Sequence, residues 1–328
     1  MKTEILKLLR ETDGYVSGQQ ISGQFGVSRT AVWKVIRQLQ EDGYQVEAVR
    51  NKGYHIVDSP DVMTKEELAS LMNTRWAGRN ILYYDVTDST NLRIKQAGDE
   101  GAPHGTLAVA DRQTAGRGRR GRTWESPAGS SIYMSILLRP EIAPNKASML
   151  TLVMALNVVE GIQECIGNDR DIQIKWPNDI IINGKKLAGI LTEMSSQIDY
   201  INHVTVGVGI NVNTTDFPEE IAQTATSLRI ECGHTVKRAP LIAAVMERLE
   251  ENYETFLETE DLSGLLDRYN ALLVNCDRDV QIIGAKETYQ AHAIGIDHTG
   301  ELIVRREDGS IEKINAGEVS VRGVYGYT

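Results

Sequence analysis

The sequence predicts an α+β protein of several domains: an N-terminal winged helix-turn-helix, a central mixed or antiparallel sheet packed with helices, and a small C-terminal β-barrel. Three observations carry this prediction. The chain opens on three short helical patterns and a hairpin; its middle joins strands through hairpin signals instead of alternating them with helices; and its end consists of short strands with glycine turns. At 328 residues it exceeds one ordinary core. The boundaries are expected near residues 62 and 274, giving segments 1–62, 63–274 and 275–328.

Composition sets the class. Apolar residues make up 41% and charged residues 24%, the balance of a soluble globular protein, with a net charge of −10. The opening "MKTEILKLLRETDG" is an amphipathic helix and not a secretory leader, which predicts a cytoplasmic protein. The apolar run Ala147 to Val159 carries Asn157 and is shorter than the roughly 20 residues of a membrane span, so no membrane partner is expected. Cys165, Cys232 and Cys276 lie far apart without ligand-spaced partners, which indicates neither disulfides nor a zinc site.

In the first segment Ser17 with Gln20 forms a capping box, Ser28 caps the third helix, and Gly43 ends it. The turn Phe25-Gly26-Val27 has the length that crosses two helices in a helix-turn-helix. Val32, Val35, Ile36 and Leu39 make the buried stripe of the third helix, leaving Arg29, Thr30, Lys34 and Arg37 outward. "YQVEAVRNKGYHIVD" alternates about Asn51-Lys52-Gly53 as a wing, with Arg50 and Lys52 on it. Residues 1–60 hold eight Lys+Arg against seven Asp+Glu, whereas the remainder stands at 27 against 38. DNA contact is therefore expected only from this segment, through Arg29, Thr30 and Lys34 in the major groove and Arg50 and Lys52 of the wing on phosphates, with Ser28 and Arg37 as further DNA-binding residues. A protein-interaction module is the alternative. Pro60 marks a linker, and Thr64 with Glu67 caps the next helix.

The central segment carries "TLAVADRQ", "SIYMSILLRP", "DIQIKWPND", "DIIINGKKLAGILTEM" and "HVTVGVGINVN" as strands, with Asn183-Gly184 as a hairpin turn. Helices are expected at about 91–97, 146–167 and 240–259. Neither G-x-G-x-x-G nor a Walker loop is present, so a bound nucleotide needs another grip.

That grip is the loop "GRGRRGRTW", Gly116 to Trp124. Strand patterns hold it at both ends, which argues for an anion-clamping lid over a free basic patch. In "VTVGVGINV", Val206, Val208 and Ile210 share one face and Gly207, Gly209 and Asn211 the other, a bare strip suited to close ligand approach or, alternatively, to bulges. "KWPNDIIINGKKLAG" breaks at Trp176-Pro177 and returns Lys186 towards Asp179, where a charged amine can polarise an oxyanion. In "DVTDSTN", Ser89 is either an N-cap or, with Thr90 and Asn91, part of a polar ligand site. The final segment offers "DVQIIG", "TYQAHAIGI", "ELIVRR", "SIEKIN" and "EVSVRG".

"DSTN", "GRGRRGRTWESPAGSSIYMSI", "KWPNDIIINGKKLAGIL" and "VGVGINVN", in this order behind a winged helix, resemble the bifunctional biotin protein ligase and biotin operon repressor family over essentially the whole chain. The resemblance implies a class II synthetase-like central fold, ATP, Mg²⁺ and biotin as reactants, and biotinyl-5′-AMP as intermediate and corepressor. It implies as partners a biotin carboxyl carrier protein of acetyl-CoA carboxylase or pyruvate carboxylase, operator DNA and a second copy of the chain. By the same resemblance Ser89, Thr90, Asn91, Gln113, Gly116, Arg117, Gly118, Arg119, Lys186, Gly207 and Gly209 hold biotin. Arg119, Arg120, Arg122, Trp124, Lys186 and Asn211 hold the nucleotide, Asn211 also being a metal candidate. Arg119, Lys186 and Asp179 are the catalytic set, with Asp179 steering or deprotonating the acceptor amine. A lipoate or octanoate ligase and a non-catalytic ligand sensor are the rival expectations.

Overall fold

The computed structural model describes residues 1–284, 287–316 and 320–323. Two compact units divide the chain, Met1–Met72 and Asn73–Thr328.

The first unit contains α1 (Lys2–Glu11), α2 (Gly18–Phe25), α3 (Arg29–Glu41), the hairpin β1 (Gln45–Val49) and β2 (Gly53–Asp58), and α4 (Lys65–Leu71). The Ser17 and Ser28 hydroxyls accept from Gln20 N and Ala31 N at 3.1 and 3.2 Å, so both helices begin where the capping residues predict. Ile5, Leu9, Ile21, Val32, Ile36 and Leu39 close the core. An isolated antiparallel bridge joins Val16 to Tyr54 of β2. Gly53 is required there: at φ +117 it lies so close to Val16 and Ser17 that any side chain would strike their backbone.

Compactness places the division ten residues beyond the expected linker at 62, for a physical reason. Glu67 of α4, 1% exposed, accepts from Arg10 at 2.6 Å and from Tyr44 at 2.6 Å. That buried pair binds α4 to the winged helix, and Thr64 caps α4 as expected.

The second unit is built on a seven-stranded sheet in the order β3-β4-β5-β9-β8-β7-β6. Its strands are β3 (Ile81–Thr87), β4 (Leu107–Gln113), β5 (Ile132–Leu138), β6 (Ile172–Lys175), β7 (Asp179–Ile182), β8 (Lys185–Ser196) and β9 (Ile201–Ile210). Only β3 and β4 run parallel. The helices are α5 (Thr90–Asp99), α6 (Met149–Ile166), α7 (Leu228–Cys232), α8 (Arg238–Thr259) and α9 (Leu266–Leu272); α7 and α9 carried no pattern long enough to read. By length and composition Pro144–Ile166 can cross a membrane, which corrects the view that its apolar run is too short. It is nonetheless a core helix: Leu152, Val153, Leu156 and Val159 are at most 2% exposed. Asn183 (φ 50) and Gly184 (φ 74) form the two-residue turn between β7 and β8.

The last strands, β10 (Arg278–Ile283), β11 (Thr288–Ile296), β12 (Leu302–Arg305), β13 (Ile311–Ile314) and β14 (Ser320–Gly323), form an antiparallel sheet in the order β13-β12-β11-β10-β14. Glu318 and Val319 of the expected final strand, and residues 324–328, lie outside the described residues. The sheet belongs to the second unit. Gly300 packs on Leu152 and Leu262, its carbonyl accepts from Trp176 Nε1 at 3.1 Å, and Asn275 Oδ1 accepts from Trp176 N at 2.9 Å.

Candidate active site

The site begins where β3 runs into α5. Ser89 occupies the N-cap position without making a side-chain cap bond. Gln113, at the end of the neighbouring β4, caps instead: its Oε1 accepts from Thr90 N at 2.8 Å and from Thr90 Oγ1 at 3.2 Å. The Ser89 hydroxyl is thereby released from the capping role and lines a cleft. Gln113 Nε2 donates to Ser126 Oγ at 2.9 Å. Ser135 Oγ bonds Thr90 Oγ1 at 2.7 Å and Asn91 Oδ1 at 2.6 Å, and Asn91 Nδ2 donates to Glu193 Oε2 at 2.8 Å. Ser126, Ser135 and Glu193 were not singled out from the sequence. A serine inside the apolar strand "IYMSILL" was the available signal, since a buried hydroxyl requires a partner.

The glycine strip of β9 lies against this network, but its bare positions are occupied by protein. A methyl on Gly207 would meet Asn91, and one on Gly209 would come within 2.7 Å of the Trp124 ring. Gly189 of β8, opposite Gly209 in register, has the same ring at 3.0 Å. The strip therefore seats the Asn91 and Trp124 side chains, and Gly189, Gly207 and Gly209 line the cleft together with them. Gly116, expected to touch biotin, sits under the loop: a methyl there would collide with the Trp124 carbonyl and lie 2.6 Å from Ser126 Oγ.

The loop itself is folded. Arg117 and Thr123 bridge antiparallel, Trp124 N donates to Gly116 O at 3.0 Å, and Gly118 N donates to Arg122 O at 2.7 Å. Arg120 (φ 56) and Gly121 (φ 74) turn its tip. Arg117 Nη1 stands 3.6 Å from Glu193 Oε1. Arg119 donates to Asn178 Oδ1 at 2.9 Å and to Ala316 O at 2.6 Å, which ties the loop to the β6–β7 turn and to the segment just after β13. Burial, with Arg120 and Arg122 nearby, lowers the Arg119 pKa from its usual very high value. Desolvation of this kind favours binding of an anion to the group.

Lys186 pairs with Asp179 at 2.6 Å, and its Nζ lies 5.3 Å from the Trp124 ring centroid. The Trp176–Pro177 peptide is cis and leaves Asn178 and Asp179 at the mouth of the hairpin. Two cavities meet here. The narrower is lined by Ser89, Thr90, Asn91, Gln113, Arg117 and the glycine strip. The broader is lined by Arg120, Arg122, Asp179, Asn211 and, unforeseen, by Lys175, Asp216, Phe217, Pro218, Glu220, Ile221, Thr224 and Ala225. Gly118, Arg119, Trp124, Asn178 and Lys186 line both. Asn211 Nδ2 donates to Thr226 O at 3.1 Å, and among the described residues no cluster of three His, Cys, Asp or Glu groups suits a metal ion.

In the first unit Arg29, Thr30, Lys34 and Arg37 lie away from the core on α3, with Arg50 and Lys52 exposed on the wing. The Ser28 hydroxyl is engaged in capping, and Arg29 donates to Gln19 Oε1 at 2.6 Å. Trp33, which no apolar pattern marked, is 49% exposed on the same face.

Three families match the chain: an HTH domain over residues 2–55, the Biotin/lipoate A/B protein ligase family over 83–211, and the Biotin protein ligase C terminal domain over 276–322. The chain is 38% identical over 324 residues to the bifunctional ligase/repressor BirA of Bacillus subtilis, covering 98% of each. It is 33% identical over 307 residues to BirA of Escherichia coli, covering 93% of this chain and 92% of that one. The structure of a biotin protein ligase from Aquifex aeolicus in complex with biotin and ATP superposes with a TM-score of 0.66 at 32% identity, over 75% of this chain and 99% of that chain.

Proposed function

Because the chain belongs to the family of bifunctional biotin ligase/repressors, we propose that it joins biotin to a lysine of a biotin carboxyl carrier protein through biotinyl-5′-AMP, and represses transcription as a DNA-bound homodimer when it retains that adenylate. One observation carries the enzymatic reading: the two cavities share a wall made of Gly118, Arg119, Trp124, Asn178 and Lys186. A carboxylate in one and an α-phosphate in the other meet at a guanidinium and an ammonium.

The narrower cleft takes the biotin ring against Ser89, Thr90 and Gln113, with Asn91 and Glu193 fixed behind it. ATP enters the broader cavity beside Arg120, Arg122 and Asn211. A biotin carboxylate oxygen attacks the α-phosphorus, the bond to the bridging oxygen breaks, and pyrophosphate leaves with the electron pair. Arg119 and Lys186 neutralise the two repelling anions and the charge that grows on the phosphoryl oxygens. Trp124 and the folded loop exclude water from the mixed anhydride. The acceptor amine then attacks the carbonyl carbon, AMP departs, and Asp179, next to Lys186, receives or steers the amine proton. Mg²⁺ bound to ATP would meet Asn211 in the broader cavity and would supply charge to the phosphates.

Regulation uses the same loop. An adenylate that holds Gly116–Trp124 closed biases the chain towards the dimer, which presents two winged helices to a two-fold operator. Biotin-dependent ATP–pyrophosphate exchange tests the chemistry: exchange with biotin and none with lipoate is expected, and exchange with lipoate alone overturns it. Acceptor labelling with biotin excludes a non-catalytic sensor. Arg119→Gly is expected to release adenylate faster and to dimerise poorly.

A further inference from the structure

The recognition helix carries a residue that the charge pattern does not explain. Trp33 is 49% exposed, whereas Val32, Val35, Ile36 and Leu39 on the opposite side of α3 are at most 5% exposed. Trp33 follows Arg29 by four residues and precedes Arg37 by four, so the three make one ridge, with Thr30 and Lys34 on the next. The Arg37 guanidinium lies 5.4 Å over the Trp33 ring. From Ser28 to Lys34 the helix has no acidic residue; the first on this face is Glu41, paired with Arg37 at 3.2 Å.

We infer that Trp33 reads thymine in the major groove, its indole edge packing on the C5-methyl of one base per half-site while Arg29, Lys34 and Arg37 hold the flanking phosphates and base edges. This deepens the DNA-binding reading above and rests on it. The occupant follows from charge and shape together. A large apolar surface ringed by cations on a helix meets DNA, whose major groove offers a methyl group only at thymine. Cations fix position on the polyanion without distinguishing bases; an uncharged ring between them supplies discrimination without altering the salt dependence of binding.

The test uses the full chain with biotin and ATP. Wild-type protein selects duplexes from a random-sequence pool, and each thymine of the recovered site is then replaced by uracil, which removes only the methyl. The expected result is one position per half-site where uracil weakens wild-type binding about fourfold, the worth of burying one methyl group. Trp33→Gln should bind thymine and uracil duplexes equally at that position with an unchanged slope against salt, and Trp33→Phe should restore part of the difference. Circular dichroism melts verify that both variants fold. A Trp33→Gln protein that keeps the full uracil penalty overturns the inference, as does one that changes only dimerisation in sedimentation. If the wild-type protein selects no sequence, the DNA-binding reading itself fails, and that result is distinguishable because it precedes any variant.

Discussion

Asn91 stands where a side chain on Gly207 would project: an added methyl would lie 2.8 Å from Asn91 Cγ and 3.1 Å from Nδ2. The amide so admitted links Ser135 to Glu193 and, through Thr90, to Gln113. One missing side chain on β9 thus positions the wall of the narrower cleft, the proposed biotin site. Gly207→Ala is expected to lower biotin affinity at least tenfold and to cost about 1–3 kcal/mol of stability through overpacking, measured by calorimetric titration and melting. Unchanged biotin affinity would show that Asn91 can be displaced freely.

Glu193 reaches both Asn91 and Arg117, at 2.8 and 3.6 Å. Glu193→Gln keeps an acceptor for Asn91 and removes the charge facing the loop. Because this pair is partly exposed, the expected effect is modest: adenylate release about two- to fivefold faster, followed by stopped-flow fluorescence, with an unchanged melting temperature. Equal release rates would remove Glu193 from loop closure.

Lys186 lies on the wall common to both cavities and pairs with Asp179 at 2.6 Å. Lys186→Met should slow adenylate formation by about 10²–10³-fold, the usual cost of removing a preorganised donor, and should also weaken biotin binding, since Lys186 faces the carboxylate. Asp179→Asn should slow both half-reactions by about tenfold. Single-turnover assays of exchange and of transfer to the acceptor separate the two. Full adenylation rates in Lys186→Met would place the chemistry elsewhere.

Asp297 and Glu250, both buried in the second unit, are expected to contribute to its acid limit. Burial acts to raise Asp297 and Glu250, but Lys313 and Thr299 around the first, and the Trp76, Arg75 and Ala77 N–H groups around the second, outweigh it and hold both below the usual carboxylate range. Depressed folded values contribute stability that is fully present above the unfolded pKa values, about 3.9 for Asp and about 4.3 for Glu, and is lost as pH falls through the folded ones. Melting temperature should therefore drop below about pH 4. An Asp297→Asn, Glu250→Gln double variant should melt lower at neutral pH with a flatter acid limb. Parallel limbs would assign acid unfolding to other groups.

The first unit includes α4. A fragment of residues 1–72 should melt cooperatively, whereas a fragment of residues 1–62 leaves Arg10 and Tyr44 without Glu67 and should melt at least 10 °C lower, since loss of one member of a buried pair costs about 3–5 kcal/mol. Thermal melts of both fragments check this, and equal melting temperatures would put α4 outside the unit.

Local chemistry was legible in the sequence. Ser17 and Ser28 cap where they do because a hydroxyl two or three residues ahead of free N–H groups needs no distant partner, and Asn183-Gly184 turns because both residues tolerate positive φ. The arginine loop, Lys186 and the glycine strip stood out in the sequence for the same reason, each departing from what its own segment needs for stability, and the structure brings them to the two adjoining cavities.

Only the tertiary structure decided who partners whom. That Gln113 and not Ser89 caps α5, that Asn91 and Trp124 fill the places left by Gly207 and Gly209, that Glu193 faces Arg117, and that Glu67 draws α4 into the first unit all depend on contacts between residues far apart in the chain. Capping and turn signals are short-range and repeat from protein to protein. Buried hydrogen bonds are satisfied by whichever group the packing of sheet and helix brings within about 3 Å, and that proximity exists only once the chain has folded.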